Sequence, residues 1–565
     1  MEKNYKLKDI PYKRMDFQEI QRKLDEFAEQ ITQAGDYDTV KKILLGSQEL
    51  QKEVNENHTL AMIRMYQDST DEYYAKEAME QDKALAMRDS SKLNQALISS
   101  PFAEDINREF GREFLLILDK DNRLLSEGKD LQVKEQELMN RYQKMKATMK
   151  FEFQGKTLSE GELRPFRENP DREVRKECLK VMYRGYLDRK QEFEEILDEL
   201  VKTRIKIAKA NGFDSYLDYK NLEKGRREYG EKELTAFRKQ IKEEVIPVMK
   251  ALYEQQKERL GLETLTIYDY NLIFPDGNPR PAGEIQELCQ AAGEMYHKLS
   301  PEIGAFYDEM LEHELIDAAQ SPNKITGIGF CTTLDKTGIP FVFANSNGTM
   351  SDVSVLTHEL GHAWQAYCSM KKQPLQEYYW MANDLVEIPS KTMELFAYPY
   401  AEAFFGKDAE KFLYMHQYEI ISELTFYTMV DEYEGWLYTN PQAAMGERYE
   451  KFEQLFQEYN PGVDNREFRE EILAGAMLFG NMGVYMYPKY LISYVLSEMC
   501  ALEFKERMDE NPEQAWKDYE LFCATGGSME YVSILKQSGL SPAYVDGTVA
   551  RALTGLKQRL GTENR

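Results

Sequence analysis

The sequence predicts a mainly α-helical protein of two or more substructures with one small β-sheet, and three observations carry that prediction. Most of its 565 residues lie in stretches rich in Glu, Lys, Gln, Leu, Ala and Met, whose apolar positions recur at helical spacing. A single stretch, 325–345, has the β-branched, aromatic, glycine-bounded pattern of strands. The length exceeds what one hydrophobic core supports, so two or more substructures facing each other across a cleft are expected.

Taken in order, helix signal runs almost without interruption from Asp16 to about Lys150, with Phe27, Ile31, Ile43, Leu44 and Leu50 spaced for apolar faces. Breaks are expected at Gly35-Asp36, at Ser99-Ser-Pro101 and at Gly128. Phe151–Leu158 alternates apolar and polar residues around Gln154-Gly155 and reads as a short hairpin. It marks the expected boundary between an N-terminal helical domain, 1–150, and a catalytic domain, 151–565. Helical periodicity resumes at Asp171 and lasts through Leu260, the prolines and glycine of Phe274–Pro281 make a loop, and Ala282–Leu311 is helical again.

Two strands follow, Ile325–Thr333 and Ile339–Asn345, joined by a turn at Asp335–Gly338. Thr349 or Ser351 is placed to cap the helix that comes next. The edge of the second strand, with Phe343 and Ala344, could hold an extended peptide by main-chain hydrogen bonds, and an ordinary hairpin is an equal alternative. After Pro374, helix signal returns from Trp380 to Phe405 and on to Glu434, with Pro389 inside it.

A formal charge of -26 with 30% charged residues argues against broad nucleic-acid or anionic-membrane surfaces. The opening MEKNYKLKDIPYKRMDF has no apolar signal region. The longest uncharged run, Ile472–Pro488, is short and rich in Gly, Asn and Tyr, so a cytoplasmic protein is expected. Six cysteines without a Cys-x-x-Cys pair suit reduced thiols that pack as small apolar groups. Oligomeric state is left open.

The chemistry concentrates in Val355–Gln365, which contains His358-Glu359-Leu-Gly-His362. Residues i and i+4 share a helical face, so two imidazoles can reach one zinc ion while Glu359 lies beside it as general base. Catalytic zinc needs a third protein ligand and one open position. Asp384, Glu387 and Glu394 are the acidic candidates downstream, and spacing does not choose among them. His58, His297, His313 and His416 read as structural or surface residues.

The strings NSNGTMSDVSVLTHELGHAWQAY and NDLVEIPSKTMELF resemble those of the thimet oligopeptidase and oligoendopeptidase F family of zinc peptidases. The likeness extends to Pro170-Asp-Arg-Glu-Val-Arg175 and to the turn Gly526-Gly-Ser528, and is specific from about residue 150 onward. It implies two helical halves flanking a deep substrate channel with one zinc ion at its floor. It also implies Glu387 as the third ligand and Asp384 as an acidic neighbour that orients a ligand histidine. The segment Phe479–Tyr494 resembles the family's tyrosine-rich substrate loop. Tyr487 and Tyr494 align with its tyrosines as candidates to stabilise an oxyanion, and Tyr485 and Tyr490 as substrate-binding candidates. The histidine that the family carries just before them is absent, with Met482 or Val484 in its place.

The implied activity is zinc-dependent cleavage of internal bonds in short peptides. The alternatives are a zinc carboxypeptidase with a His-Glu-x-Gly-His helix and a non-catalytic peptide-binding relative.

Overall fold

A computed structural model describes residues 6–125, 128–325 and 328–562. The described residues are mainly α-helical, with two small sheets among them. By contact the chain forms two compact units, each discontinuous in sequence. The first comprises the described parts of Met1–Leu125, Pro279–Glu410 and Cys500–Ser541. The second comprises those of Ser126–Asn278, Lys411–Met499 and Pro542–Arg565. The hairpin at 151–158 lies within the second unit, so a division at residue 150 remains a proposal about consecutive stretches of chain rather than about contact.

In the first unit, the Asp16 carboxylate accepts from the backbone N–H groups of Gln18 and Glu19 and starts the helix Phe17–Gln33. Ile20, Leu24, Ala28 and Ile31 fall on one face of it. They join Val40, Leu44, Leu93, Leu97, Ile106 and Phe110 in a core, with Phe27, Ile43 and Leu50 packed at its margin. The expected breaks at 35–36, 99–101 and 128 all fall between helices. Others occur at Asp68–Asp71, where the Asp71 carboxylate caps the start of the helix Glu72–Met87, at Arg88–Ser90, and at Gly111, whose φ of +90° ends a helix, in a stretch whose composition alone reads as continuous.

The second unit has its core along the helix Lys190–Ala210, whose Phe193, Ile196, Leu197, Leu200 and Val201 are fully buried. Strands β1 (Phe151–Phe153) and β2 (Lys156–Leu158) pair antiparallel. Gln154 and Gly155 both have positive φ, 50° and 74°, as a tight two-residue hairpin turn requires. Arg172 and Arg175 of the 170–175 string hold the buried Asp269 carboxylate at 2.7 and 2.6 Å.

The other sheet belongs to the first unit and contains β3 (Ile316–Asp317), β4 (Phe330–Leu334) and β5 (Ile339–Phe343) in the order β3-β5-β4. Thr326 and Gly327 of the expected first strand lie outside the described residues. One expectation is corrected. β5 is central, parallel to β3 and antiparallel to β4, so it has no free edge. Phe343 is fully buried and Ala344 nearly so, and the Ala344 N–H donates to the Asp317 carbonyl at 2.9 Å. Phe343 and Ala344 are therefore closed to a peptide. The outer strands are β3 and β4, of which β4 is the longer. The sequence could not show this because β3 is only two residues long and lies 22 positions before β5.

Candidate functional site

The helix Ser351–Lys372 carries His358, Glu359 and His362. Neither Thr349 nor Ser351 caps it, because the chain enters through Met350 already in helical conformation. Instead, the Asp352 carboxylate accepts from the N–H groups of Asn347 and Gly348 and pins the strand exit to the first turn. Gly361 then decides how close the next helix, Asn383–Phe396, can come. A Cβ at Gly361 would lie 2.6 Å from Ser390 Cα and 2.7 Å from the Pro389 carbonyl oxygen, so only glycine permits this approach. The Tyr519 hydroxyl donates to that carbonyl at 2.9 Å, and Ser390 Oγ donates to the Glu387 carboxylate at 3.1 Å.

That approach brings Glu387 to the histidines. Its Oε2 lies 3.3 Å from His358 Nε2 and 3.3 Å from His362 Nε2, with all three ligand atoms within 4.8 Å of one another. Ligand atoms about 2.0–2.1 Å from a tetrahedral zinc are separated by about 3.3 Å, so these two edges fit a zinc ion. The donor set, two imidazole nitrogens and a carboxylate, is also that of catalytic zinc. Of the three acidic candidates, Glu387 is the one in the cluster.

His358 Nδ1 meets Glu394 Oε1 at 2.6 Å. The carboxylate in contact with this clustered imidazole is Glu394, two turns beyond Glu387. Asp384 is buried in the first turn of the same helix. The signal for Glu394 was its seven-residue spacing from Glu387, which returns a side chain to the same helical face. His362 Nδ1 is buried and makes no hydrogen bond among the described residues. The Trp380 ring lies 6.4 Å from the His362 ring.

The electrostatics favour a cation. Burial opposes charge on His358, but hydrogen bonds to the Glu387 and Glu394 carboxylates and the charges of Glu394 and Glu359 outweigh it and raise its pKa well above the ordinary value. Burial works against the Glu387 anion, yet the two imidazoles hold its carboxyl far below the usual range. Carboxylates that favour an imidazolium also favour a metal ion set between them. Glu359 looks toward the start of β4: a Cβ at Gly329 would lie 3.7 Å from its Oε1.

The tyrosines belong to the second unit, and they separate into two kinds. Tyr485 is fully buried, stacks on Tyr142 at 4.2 Å and donates its hydroxyl to the Phe193 carbonyl at 3.3 Å. It is a core residue and is withdrawn as a substrate-binding candidate. Tyr487 is 45% exposed, and it lines a pocket with the half-buried Tyr490 and Tyr494. Sequence reasoning missed Arg204, a fully buried residue that donates to the carbonyls of Val484 at 3.2 Å and Tyr485 at 2.6 Å. It also missed Lys489, whose ammonium is buried against Asp431 at 2.5 Å. No local pattern marks either, because their partners are remote in sequence.

Comparison with known proteins gives the same grouping. The profile of the peptidase family M3 matches residues 166–551, and that of the peptidase M3 N-terminal domain matches residues 7–125. An oligoendopeptidase F homolog of Borreliella burgdorferi is 24% identical over 395 residues, 66% of this chain and 63% of that one. Oligopeptidase PepF of Bacillus subtilis is 22% identical over 404 residues, 68% of this chain and 56% of that one. The matched stretch thus spans less than two thirds of either relative. A solved structure of PZ peptidase A with an inhibitor superposes with a TM-score of 0.87 at 30% identity, covering 99% of this chain and 100% of that one. With one profile matching most of its length and the fold shared end to end, the chain belongs to peptidase family M3.

Proposed function

We propose that this protein is a zinc-dependent endopeptidase of short peptides. The observation that carries the proposal is the triad of His358, His362 and Glu387, with Glu387 Oε2 3.3 Å from each histidine Nε2. These three residues would hold the ion. When bound, zinc supplies Lewis acidity, which makes water a usable nucleophile near neutral pH and polarises a carbonyl.

The remaining steps fall to the chain's own groups. Glu359 takes the proton of the attacking water and delivers it to the leaving amine. Glu394 holds His358 in the orientation that directs Nε2 inward, through the 2.6 Å contact at Nδ1. The free edge of β4 offers backbone groups to an extended substrate, replacing the role first expected of Phe343 and Ala344. Tyr487 and Tyr494 are the proposed donors to the oxyanion of the tetrahedral intermediate.

The restriction to oligopeptides is supported by the names of the relatives. Among the described residues no helix is long and apolar enough to cross a membrane. Free cysteines, three of them buried, suit a reducing compartment, and a cytoplasmic setting is part of the same proposal.

Digestion of a peptide length series with and without a chelator, read by mass spectrometry, tests metal dependence, cleavage position and size limit together. Glu359→Gln is expected to lower kcat/KM by about 10²- to 10⁴-fold with metal content unchanged. Wild-type turnover by that variant would remove Glu359 from its role, and cleavage unaffected by chelation would remove the zinc.

A further inference from the structure

A separate cavity lies wholly within the first unit and encloses about 390 Å³. Along it runs one face of the helix Tyr37–Gln67, where Gln48, Gln51 and Asn55 follow one another at spacings of three and four. Leu93, Leu97, Phe114 and Leu118, all buried, make part of the wall apolar. The polar part holds one guanidinium and three carboxylates, those of Arg88, Asp121, Asp335 and Glu377. His58, also in the wall, meets Asp82 at 2.6 Å.

Two of these charges lack the partner that burial demands. Arg88 is the residue at which the chain leaves the helix Glu72–Met87 in extended conformation. Its Nη1 is buried with no hydrogen-bond partner, and its guanidinium makes no hydrogen bond or ion pair among the described residues. A group with five N–H donors is costly to leave in that state. Glu377 accepts from Gln48 Nε2 at 3.0 Å on each oxygen, a neutral donor, and makes no ion pair among the described residues. The Lys52 charge acts on it, but that ammonium is paired with Glu49 at 3.1 Å. Burial lowers the Arg88 pKa and raises that of Glu377, and the Glu377 charge reaches Arg88 without a direct bond. The other two carboxylates are better served. Asp335 accepts from Thr333 Oγ1 at 2.6 Å and Asn55 Nδ2 at 3.1 Å, and Asp121 lies 3.6 Å from the Lys120 ammonium.

A guanidinium and a carboxylate that face one cavity without bonding to each other match a ligand carrying the opposite charges on neighbouring atoms. An α-amino acid is such a molecule, and both of its charged groups would make charge-assisted hydrogen bonds here. A lone anion would leave Glu377 uncompensated and meet a surplus of carboxylates, and a lone cation would leave Arg88 orphaned. The leucines and Phe114 give an apolar side chain its place, in a cavity of the size that small ligands fill.

We infer that this cavity is a binding site for a free α-amino acid with an apolar side chain, its carboxylate on Arg88 and its ammonium on Glu377. The inference does not rest on the peptidase reading, because a free amino acid has no peptide bond to cut.

Isothermal titration calorimetry on the full-length, metal-loaded protein compares L-leucine with two analogues that each lack one charge, leucinamide and 4-methylpentanoate. Leucine is expected to bind at one per chain and about 10-fold or more tighter than either analogue. In Arg88→Met its affinity should fall to that of leucinamide, and in Glu377→Gln to that of 4-methylpentanoate. Both variants should keep the wild-type urea midpoint, since Arg88 gives up no bond and glutamine at 377 retains an oxygen for Gln48. Leucine affinity unchanged in either folded variant, as binding at the metal triad would give, overturns the inference. So does equal binding of leucine and its analogues, or no binding up to about 10 mM, which would leave the cavity to water alone.

Discussion

The metal triad and the tyrosine segment 482–494 are held in place by different physical means. The triad is assembled from two helices only ten residues apart, and its precision comes from steric closeness: Gly361 against Pro389 and Ser390, with Ser390 Oγ steadying Glu387. The tyrosine segment has no such neighbour in sequence. It is clamped by charges reaching in from far along the chain, Arg204 to the carbonyls at 484 and 485, Arg226 to the carbonyl at 489, and Lys489 into Asp431. Local packing tolerates adjustment of one contact at a time. A buried charge does not, because every group it leaves behind is stranded away from water.

That contrast is sharpened most by Arg204→Met. The substitution leaves two buried carbonyls, the Glu135 carboxylate and the Tyr438 hydroxyl without their common donor. The expected loss is about 3–5 kcal/mol of unfolding free energy, measured as a fall in urea midpoint. Zinc bound by the still-folded protein should remain at one per chain, since no triad residue is touched. A variant as stable as the wild type would mean the clamp is ornamental and the segment holds itself.

The smaller effect belongs to the triad. Glu394→Gln keeps an acceptor near His358 Nδ1 but removes the charge that favours a cation at the site. Zinc affinity, measured by competition with a chromogenic chelator, should fall by about 10-fold or more, with the metal-free melting temperature nearly unchanged. A large loss of metal-free stability would instead make Glu394 part of the core.

The same contrast explains what could be read in advance. His358, Glu359 and His362 were legible because a helix converts four-residue spacing into adjacency. Glu387 stayed one of three carboxylates until a resemblance singled it out, since spacing says which face a residue occupies and not which helix will meet it. Helix Phe17–Gln33 was legible through its cap and its apolar stripe. The edges of the sheet were not, because two-residue β3 pairs with β5 and leaves β3 and β4 outermost. Tyr485 and Tyr487 are two residues apart with identical side chains, yet one is core and the other surface. Their difference is imposed by Arg204, Tyr142 and Phe193, none of which is near them in sequence.

The gentlest probe of the clamp is a pH dependence. Glu434 is fully buried beside it and accepts the Lys489 backbone N–H at 2.8 Å. Burial pushes its carboxyl from an ordinary value near 4.5 up to about 8, and the nearby Lys489 charge only partly offsets this. Between those two values the folded protein holds a proton that the unfolded chain has released. Unfolding free energy from this group is therefore full below about 4.5 and declines as pH rises toward 8. The slope contributed is at most about 1.4 kcal/mol per pH unit for one proton. Glu434→Gln keeps the oxygen that accepts from Lys489 and cannot ionise, so it should remove that slope. Urea melts at pH 5.0, 6.5 and 8.0 give the comparison, and the variant's advantage over the wild type should grow from the first to the last. A difference constant across the three would show that Glu434 is ionised in the folded protein and that Lys489 and its neighbours, rather than burial, govern it.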